Sequence, residues 1–195
     1  MKVVNRLKGL AGFTIIELLI ATAVFSTILL IATAGLIDIG SAYYKGYVST
    51  QTQQTARTIL NDISQTIEFG GAVYPTSPGD NPTSFCVGSV RYTLTYDMQL
   101  TTPAGHAVLR DVPLSCLGSP INNPSTELMG ANMRLASLQV KQIGGSNIYT
   151  ITVRFVYGPD DVLSADHQRC AGGAGQQFCQ TAQLTTAVQR RILRG

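Results

Sequence analysis

The sequence predicts an α+β protein in which a long N-terminal helix carries an antiparallel β head. Three observations predict it. An apolar run from Phe13 to Ile37 is broken by one carboxylate, Glu17. A polar stretch follows that keeps helical spacing and meets no proline before Pro75. From Val90 onward, alternating apolar and polar residues are punctuated by Gly and Pro, as in strands joined by turns.

The apolar run is long enough for a transmembrane helix, which needs roughly 20 apolar residues. A carboxylate inside such a run costs about 3 kcal/mol at the bilayer centre and less near an interface. Glu17 is therefore either a functional group with a partner or a residue at headgroup level. The preceding residues bear on this choice. Residues 1–12 carry Lys2, Arg6 and Lys8 and end in Gly12. An ordinary secretory signal places its small-residue cleavage site after the apolar segment. Here the small residue precedes it, so cleavage would leave the hydrophobic helix on the mature protein.

The helix is expected to continue beyond the membrane segment. Tyr43, Tyr47, Ile59, Leu60, Ile63 and Ile67 form a stripe at spacings near four, with Gln51, Gln53, Gln54, Arg57, Asn61 and Asp62 around it. Gly70-Gly71 ends it. From Phe13 to Phe69 the rise would be roughly 85 Å. Gly35, Gly40 and Gly46 are weak points, each about 1 kcal/mol worse than Ala. Four segments result: a basic leader 1–12, an apolar helix 13–37, an amphipathic helix 38–70 and a β head 71–195.

Within the head, Val73 to Pro82 reads as a loop. Val90 to Met98 is a half-buried strand, with Val90, Tyr92, Leu94, Tyr96 and Met98 inward and Arg91, Thr93, Thr95 and Asp97 outward. A turn at Pro103-Ala104-Gly105 leads to a strand from His106 to Val112, and Ser119 to Gly130 is a loop. A hairpin pairs Leu135–Ile143 with Tyr149–Tyr157 across Gly144-Gly145-Ser146-Asn147. A last strand, Gln183 to Ile192, closes the sheet.

The chain has 195 residues and a formal net charge of +3, from 14 Lys+Arg and 11 Asp+Glu. Three of the basic residues lie in the leader, and removing them leaves 11 against 11. The basic excess thus argues for orientation, with the leader on the cytoplasmic side, and not for nucleic-acid binding. Only 13% of residues are charged, where soluble domains have about 25%. Cys86, Cys116, Cys170 and Cys179 all follow the apolar helix, on the side that would be exported, and their even number suggests disulfides. Three connectivities are possible. Pairing of sequence neighbours is preferred, since Cys170–Cys179 would staple the Gly-rich stretch Ala171-Gly172-Gly173-Ala174-Gly175. A metal site is the rival; no Cys-x-x-Cys pair exists, and the only imidazole near these cysteines is His167.

No catalytic constellation stands out. His106 has no signature around it. Asp166-His167-Gln168-Arg169-Cys170 brings Asp, His and Cys together, but an oxidised cysteine is no nucleophile. Asp160, Asp161 and Asp166 could bind calcium, although their spacing matches no EF-hand. Arg190, Arg191 and Arg194 make a basic end that could meet DNA or blunt an edge strand. No enzyme activity and no cofactor are expected.

The N-terminal segment Gly12-Phe13-Thr14-Ile15-Ile16-Glu17-Leu18-Leu19 resembles the type IV prepilin family, whose motif is a glycine, an aromatic and a Glu four residues after the aromatic. The resemblance implies the pilin fold and a structural subunit of a type IV pilus. It implies cleavage after Gly12 by a prepilin peptidase, N-methylation of Phe13, and pairing of Glu17 with the N-terminal amine of a neighbouring subunit. Other pilin subunits, the inner-membrane assembly platform and, before assembly, membrane lipid would be the partners. The protein would sit in the cytoplasmic membrane as a single-pass protein with its head exported, then in a pilus or pseudopilus. Many major pilins have a proline at the position of Ala34, and this chain departs from them there. The stretches Arg57-Thr58-Ile59-Leu60-Asn61-Asp62-Ile63 and Leu184 to Arg191 are similar to those of PilW- and PulJ-type minor pilins and pseudopilins. A type II secretion pseudopilin is thus an alternative, and a membrane-anchored exported binding module is one of another class.

Overall fold

The computed structural model describes residues 12–75, 83–100, 106–113, 115–116, 125–173 and 175–191. The turn expected at Pro103-Ala104-Gly105, the prolines Pro78, Pro82, Pro120 and Pro124, the leader basic residues and Arg194 lie outside these. The chain divides into two units between Ala42 and Tyr43.

One helix, α1, runs Ile15–Gly70. Gly35, Gly40 and Gly46 do not interrupt it, and each stands in open space. At its end Gly71 adopts φ +115°, and the Gly88 turn comes so close that a Cβ on Gly88 would overlap the Gly70 carbonyl. Gly88 itself has φ +58° and donates its N–H to the Ala72 carbonyl at 3.2 Å. Glycine at this turn thus serves both the backbone angle and the close approach.

In the second unit α1 buries Val48, Thr52, Ala56, Ile59, Leu60, Ile63 and Ile67. The steps of three and four residues make one face. Ile59, Leu60, Ile63 and Ile67 are where the sequence places them. Tyr43 and Tyr47 are not; they are 77% and 56% exposed. The reason is the helical pitch: at 100° per residue, Tyr47 lies about 120° around the axis from Ile59, while Val48 lies within about 20°. Thr52 sits on the buried face because its hydroxyl donates to the Val48 carbonyl at 2.8 Å.

Among the described residues, eight strands form the head: β1 Val73–Pro75, β2 Ser84–Val87, β3 Val90–Leu94, β4 Val108–Asp111, β5 Ser125–Glu127, β6 Met133–Gln142, β7 Ile148–Tyr157 and β8 Gln180–Gln189. They make two antiparallel sheets rather than one, a five-stranded sheet in the order β1 to β5 and a three-stranded sheet β6-β7-β8. Segments expected as loops supply β1 and β5, and β2 was not anticipated. After Leu94 the strand leaves its sheet: Tyr96 bridges Leu135, and Asp97, at φ +58°, donates its N–H to the Leu135 carbonyl at 3.0 Å. That path ends the expected strand at Leu94 and leaves Met98 38% exposed.

The core joins the helix face to both sheets, through Phe85, Tyr92 and Leu94 on one side and Leu135, Leu138, Ile151, Val153 and Phe155 on the other. The inward set of β7, Tyr149, Ile151, Val153, Phe155 and Tyr157, is the alternating set that the sequence shows. Each fully buried Ile or Phe contributes about 1.5–3 kcal/mol. β8 runs alongside α1. Phe178 meets Tyr44 with ring centroids 5.0 Å apart, and Arg191 reaches Glu68 with Nε to Oε1 at 2.7 Å. From Tyr44 to Glu68 the helix rises about 36 Å, and Gln180 to Arg191 extended covers about 36 Å.

Candidate functional site

The chemistry-bearing region is the start of α1. Gly12, Phe13 and Thr14 precede the first helical residue, and Phe13 is 78% exposed. Thr14 caps the helix: its Oγ1 accepts the Glu17 N–H at 3.3 Å, and its carbonyl accepts the Leu18 N–H at 3.1 Å. Thr14-Ile15-Ile16-Glu17 has the capping-box spacing, a hydroxyl residue followed three positions later by a glutamate. Glu17 thus lies in the first turn, where the helix dipole favours a negative charge.

Beyond it every large apolar side chain from Ile15 to Ile39 is exposed, between 48% and 81%. The most apolar 18-residue window of the helix has none of its residues buried, and α1 is long and apolar enough to cross a membrane. The hydroxyls in this stretch are all engaged within the helix. Thr22 donates to the Leu19 carbonyl, Ser26 to Thr22, Thr27 to Val24 and Thr33 to Leu29, at 2.8–3.0 Å. Such bonds let a hydroxyl enter a water-free environment without an unmet donor. Between Phe13 and Ile37 the Glu17 carboxylate is then the polar side chain that has no such partner among the described residues. Sequence reasoning picked out Glu17 but missed the capping spacing and the Ser/Thr back-bonding, both of which are signalled by hydroxyl residues three or four positions from an acceptor.

The other candidate residues lie in the head. Cys86 joins Cys116 and Cys170 joins Cys179, with Cα–Cα separations of 6.1 and 5.7 Å. The cysteine beside His167 is therefore a disulfide, and His167 Nδ1 lies 2.9 Å from Asp97 Oδ1. The acidic residues considered for calcium do not converge. Asp160 engages the Arg134 guanidinium, while Asp166 accepts from the Ser164 hydroxyl and the Gln168 N–H. These two bonds, the hydroxyl's first, hold the Asp166 carboxyl below the usual aspartate range. No group of three or more metal-ligating side chains occurs among the described residues. His106 Nδ1 is 3.6 Å from Glu127 Oε2, and that carboxylate also accepts the Ala107, Val108 and Met129 N–H groups at 2.9–3.1 Å.

Of the C-terminal arginines, Arg190 donates to Asn147 Oδ1, and Arg191 pairs with Glu68 and stacks 5.1 Å above the Phe69 ring. Arg191 fastens the end of the last strand to the end of α1, and Arg190 fastens it to the β6–β7 turn.

Two charged groups are buried: Arg91, which the alternation places outward, and Arg134, which no sequence pattern singles out. Arg91 lies opposite Asp111 across β3 and β4, and the pair is bidentate, with side chains 3% and 0% exposed. Arg134, 5% exposed, reaches the Asp97 carbonyl at 3.0 Å, Gln99 Oε1 at 3.2 Å and Asp160. Tyr92 donates to Asp62 Oδ2 at 2.7 Å and shares a hydrogen bond with Thr66, and its burial pushes the phenol well above its ordinary value. These polar groups pair with one another inside the head, and their arrangement is that of packing supports.

No family model, curated protein or solved structure matches the chain. The architecture is α+β, one long N-terminal helix with antiparallel sheets.

Proposed function

We propose that the chain is a minor subunit of a type IV pilus, made as a prepilin and assembled through its apolar helix. The observation that carries the reading is the state of the residues after Gly12. Between Phe13 and Ile37 an exposed apolar helix satisfies all its own hydroxyls and leaves one carboxylate, Glu17, unpaired among the described residues, four residues after Phe13.

In this reading a membrane peptidase cuts after Gly12, and Phe13 becomes an N-methylated terminus. The new amine and the Glu17 carboxylate of a neighbouring subunit are each poorly solvated in hydrocarbon, and pairing them removes much of that penalty. Helix–lipid contacts are exchanged for helix–helix contacts. Because dispersion contacts between greasy helices carry little positional information, the charge pair sets the axial register. The disulfide-stapled head is exported and presents the surface of the filament. The protein acts by assembly, with other pilin subunits and the inner-membrane platform as partners.

The similarity of Arg57–Ile63 and Leu184–Arg191 to PulJ-type pseudopilins gives the same architecture a second assignment, in a type II secretion system. Deleting the gene separates the two: loss of surface pili supports the first, and loss of exported hydrolases with pili intact supports the second.

Intact mass and N-terminal sequencing of the protein from native membranes and sheared filaments test the reading. A chain starting at N-methyl-Phe13 is expected. A chain that keeps residues 1–12 in cells with active peptidase overturns it and leaves a membrane-anchored exported binding module.

A further inference from the structure

The head carries an exposed aromatic patch where it begins. Tyr43 and Tyr47 project from the first turns of the second unit, 77% and 56% exposed. Between them Tyr44 meets the Phe178 ring edge-on, with centroids 5.0 Å apart. Phe178 is itself 42% exposed and ends the short 3-10 turn Gln176–Phe178, inside the loop closed by Cys170–Cys179. Lys45 is exposed on the same turn of helix. Three of these aromatic side chains lie outside the core of the head. Tyr43 and Tyr47 lie off the buried face of α1, and Phe178 stands outside both hydrophobic clusters.

Chain continuity gives the patch a place. Ile39 is the last large apolar residue of the exposed run, and Tyr43 follows it by four residues, about one helical turn. Whatever the relation of the two units, Tyr43 is thus within one turn of the end of the apolar segment. Tyr and Trp concentrate at membrane–water interfaces, where a ring meets acyl chain and a hydroxyl meets water. A lysine beside them can reach lipid phosphate.

We propose that, before assembly, the Tyr43–Tyr44–Tyr47–Phe178 patch rests in the headgroup layer of the outer leaflet of the membrane that holds the apolar helix, with the Cys170–Cys179 loop as a second foot beside α1. The proposal rests on that helix being seated in a bilayer. It also assigns the loop a role: the disulfide holds Phe178 against Tyr44, so two elements distant in sequence meet the lipid together. The β6–β7 turn with Ile143 lies at the opposite end of the three-stranded sheet from this patch. The register places Tyr157 and Gln180 at one end of β7–β8 and Ile148 and Gln189 at the other.

The chain contains no tryptophan, so one introduced residue is a unique probe. Full-length Phe178→Trp is reconstituted in phosphatidylcholine–phosphatidylglycerol vesicles with or without lipid brominated near the headgroup end of its acyl chains. Ile143→Trp, at the far turn and 49% exposed in the native residue, is the reference. Tyr47→Trp, on the solvent side of the helix, reports on the same patch without touching the loop. Alkaline carbonate extraction is run on each sample. The proposal expects the indole of the Phe178→Trp and Tyr47→Trp chains to be quenched several-fold more strongly than that of Ile143→Trp, with blue-shifted emission. If both are quenched as weakly as the Ile143→Trp reference while the chain resists carbonate, the proposal falls and the patch belongs to a neighbouring subunit. A chain stripped by carbonate overturns the membrane reading, and the lipid contact with it.

Discussion

Replacing Glu17 separates the local role that the structure shows from the intermolecular role proposed for it. One is local: Glu17 sits three positions after the Thr14 cap, with its N–H on Thr14 Oγ1 at 3.3 Å. A capping interaction is worth about 1 kcal/mol, and a favourable dipole placement about 0.3–1 kcal/mol. Losing either shifts an equilibrium by at most about fivefold, since about 1.4 kcal/mol is tenfold. The other role is intermolecular. Removing one partner of a buried ion pair costs about 3–5 kcal/mol, which is roughly a hundredfold to a few thousandfold in subunit association. Three variants distinguish them. Glu17→Ala removes the carboxylate, and with it the dipole placement and the pairing, but keeps the N–H on Thr14 Oγ1. Glu17→Gln keeps an amide that can complete a capping box and removes the charge. Thr14→Val removes the cap oxygen and keeps the charge. The assay compares the membrane pool with sheared filaments in cells lacking the native gene. Both Glu17 variants are expected in the membrane, cleaved, and at least about a hundredfold depleted from filaments, whereas Thr14→Val falls by no more than several-fold. Normal assembly of Glu17→Gln, with Glu17→Ala and Thr14→Val both failing, would refute the pairing and reduce Glu17 to a helix cap.

Two further predictions concern the head. Asp111→Ala leaves the Arg91 guanidinium buried and uncompensated, so it should lose about 3–5 kcal/mol in denaturant unfolding of the full chain in detergent, while the double change Arg91→Met, Asp111→Leu should recover most of it; equal losses in the two would show that volume, not charge, sets the cost. The closed loops of Cys86–Cys116 and Cys170–Cys179, with sequence separations of 30 and 9, should contribute about 3.6 and 2.6 kcal/mol on chain-entropy grounds, so paired Cys→Ser variants read by the same unfolding assay should rank in that order.

Much of the fold was legible because its determinants are local. The helix core Ile59, Leu60, Ile63 and Ile67 repeats with the helical period, and Gly70-Gly71 marks its end. In the β6–β7 hairpin, β7 alternates from Ile148 to Phe155 after a Gly-Gly turn, and β6 does so only beyond the register shift between Leu135 and Ser137. β1, β2 and β5 are three or four residues long, too short to show a period, and β1 contains Pro75, whose missing N–H suits an edge strand. Of the candidate site, Gly12, Phe13 and Glu17 stood out as an interrupted apolar run, and Phe178 did not, because nothing in its own neighbourhood says which helix turn it will meet.

The sequence by itself determined that an apolar helix with one carboxylate leads into an α+β head, because hydropathy and periodicity are properties of neighbours along the chain. It also determined that four cysteines lie on one side of that helix. Only the tertiary structure decided that the head splits into two sheets, that Arg91 and Asp111 face each other in the interior, and that Tyr44 meets Phe178. Alternation tells which side of a strand a residue takes, and not what covers that side. Arg91 is on the face the pattern called polar, but the packing of the head covers it, and Asp111 on the neighbouring strand neutralises it. Such pairings join residues far apart along the chain, and what fixes them is the shared core, which no local pattern records.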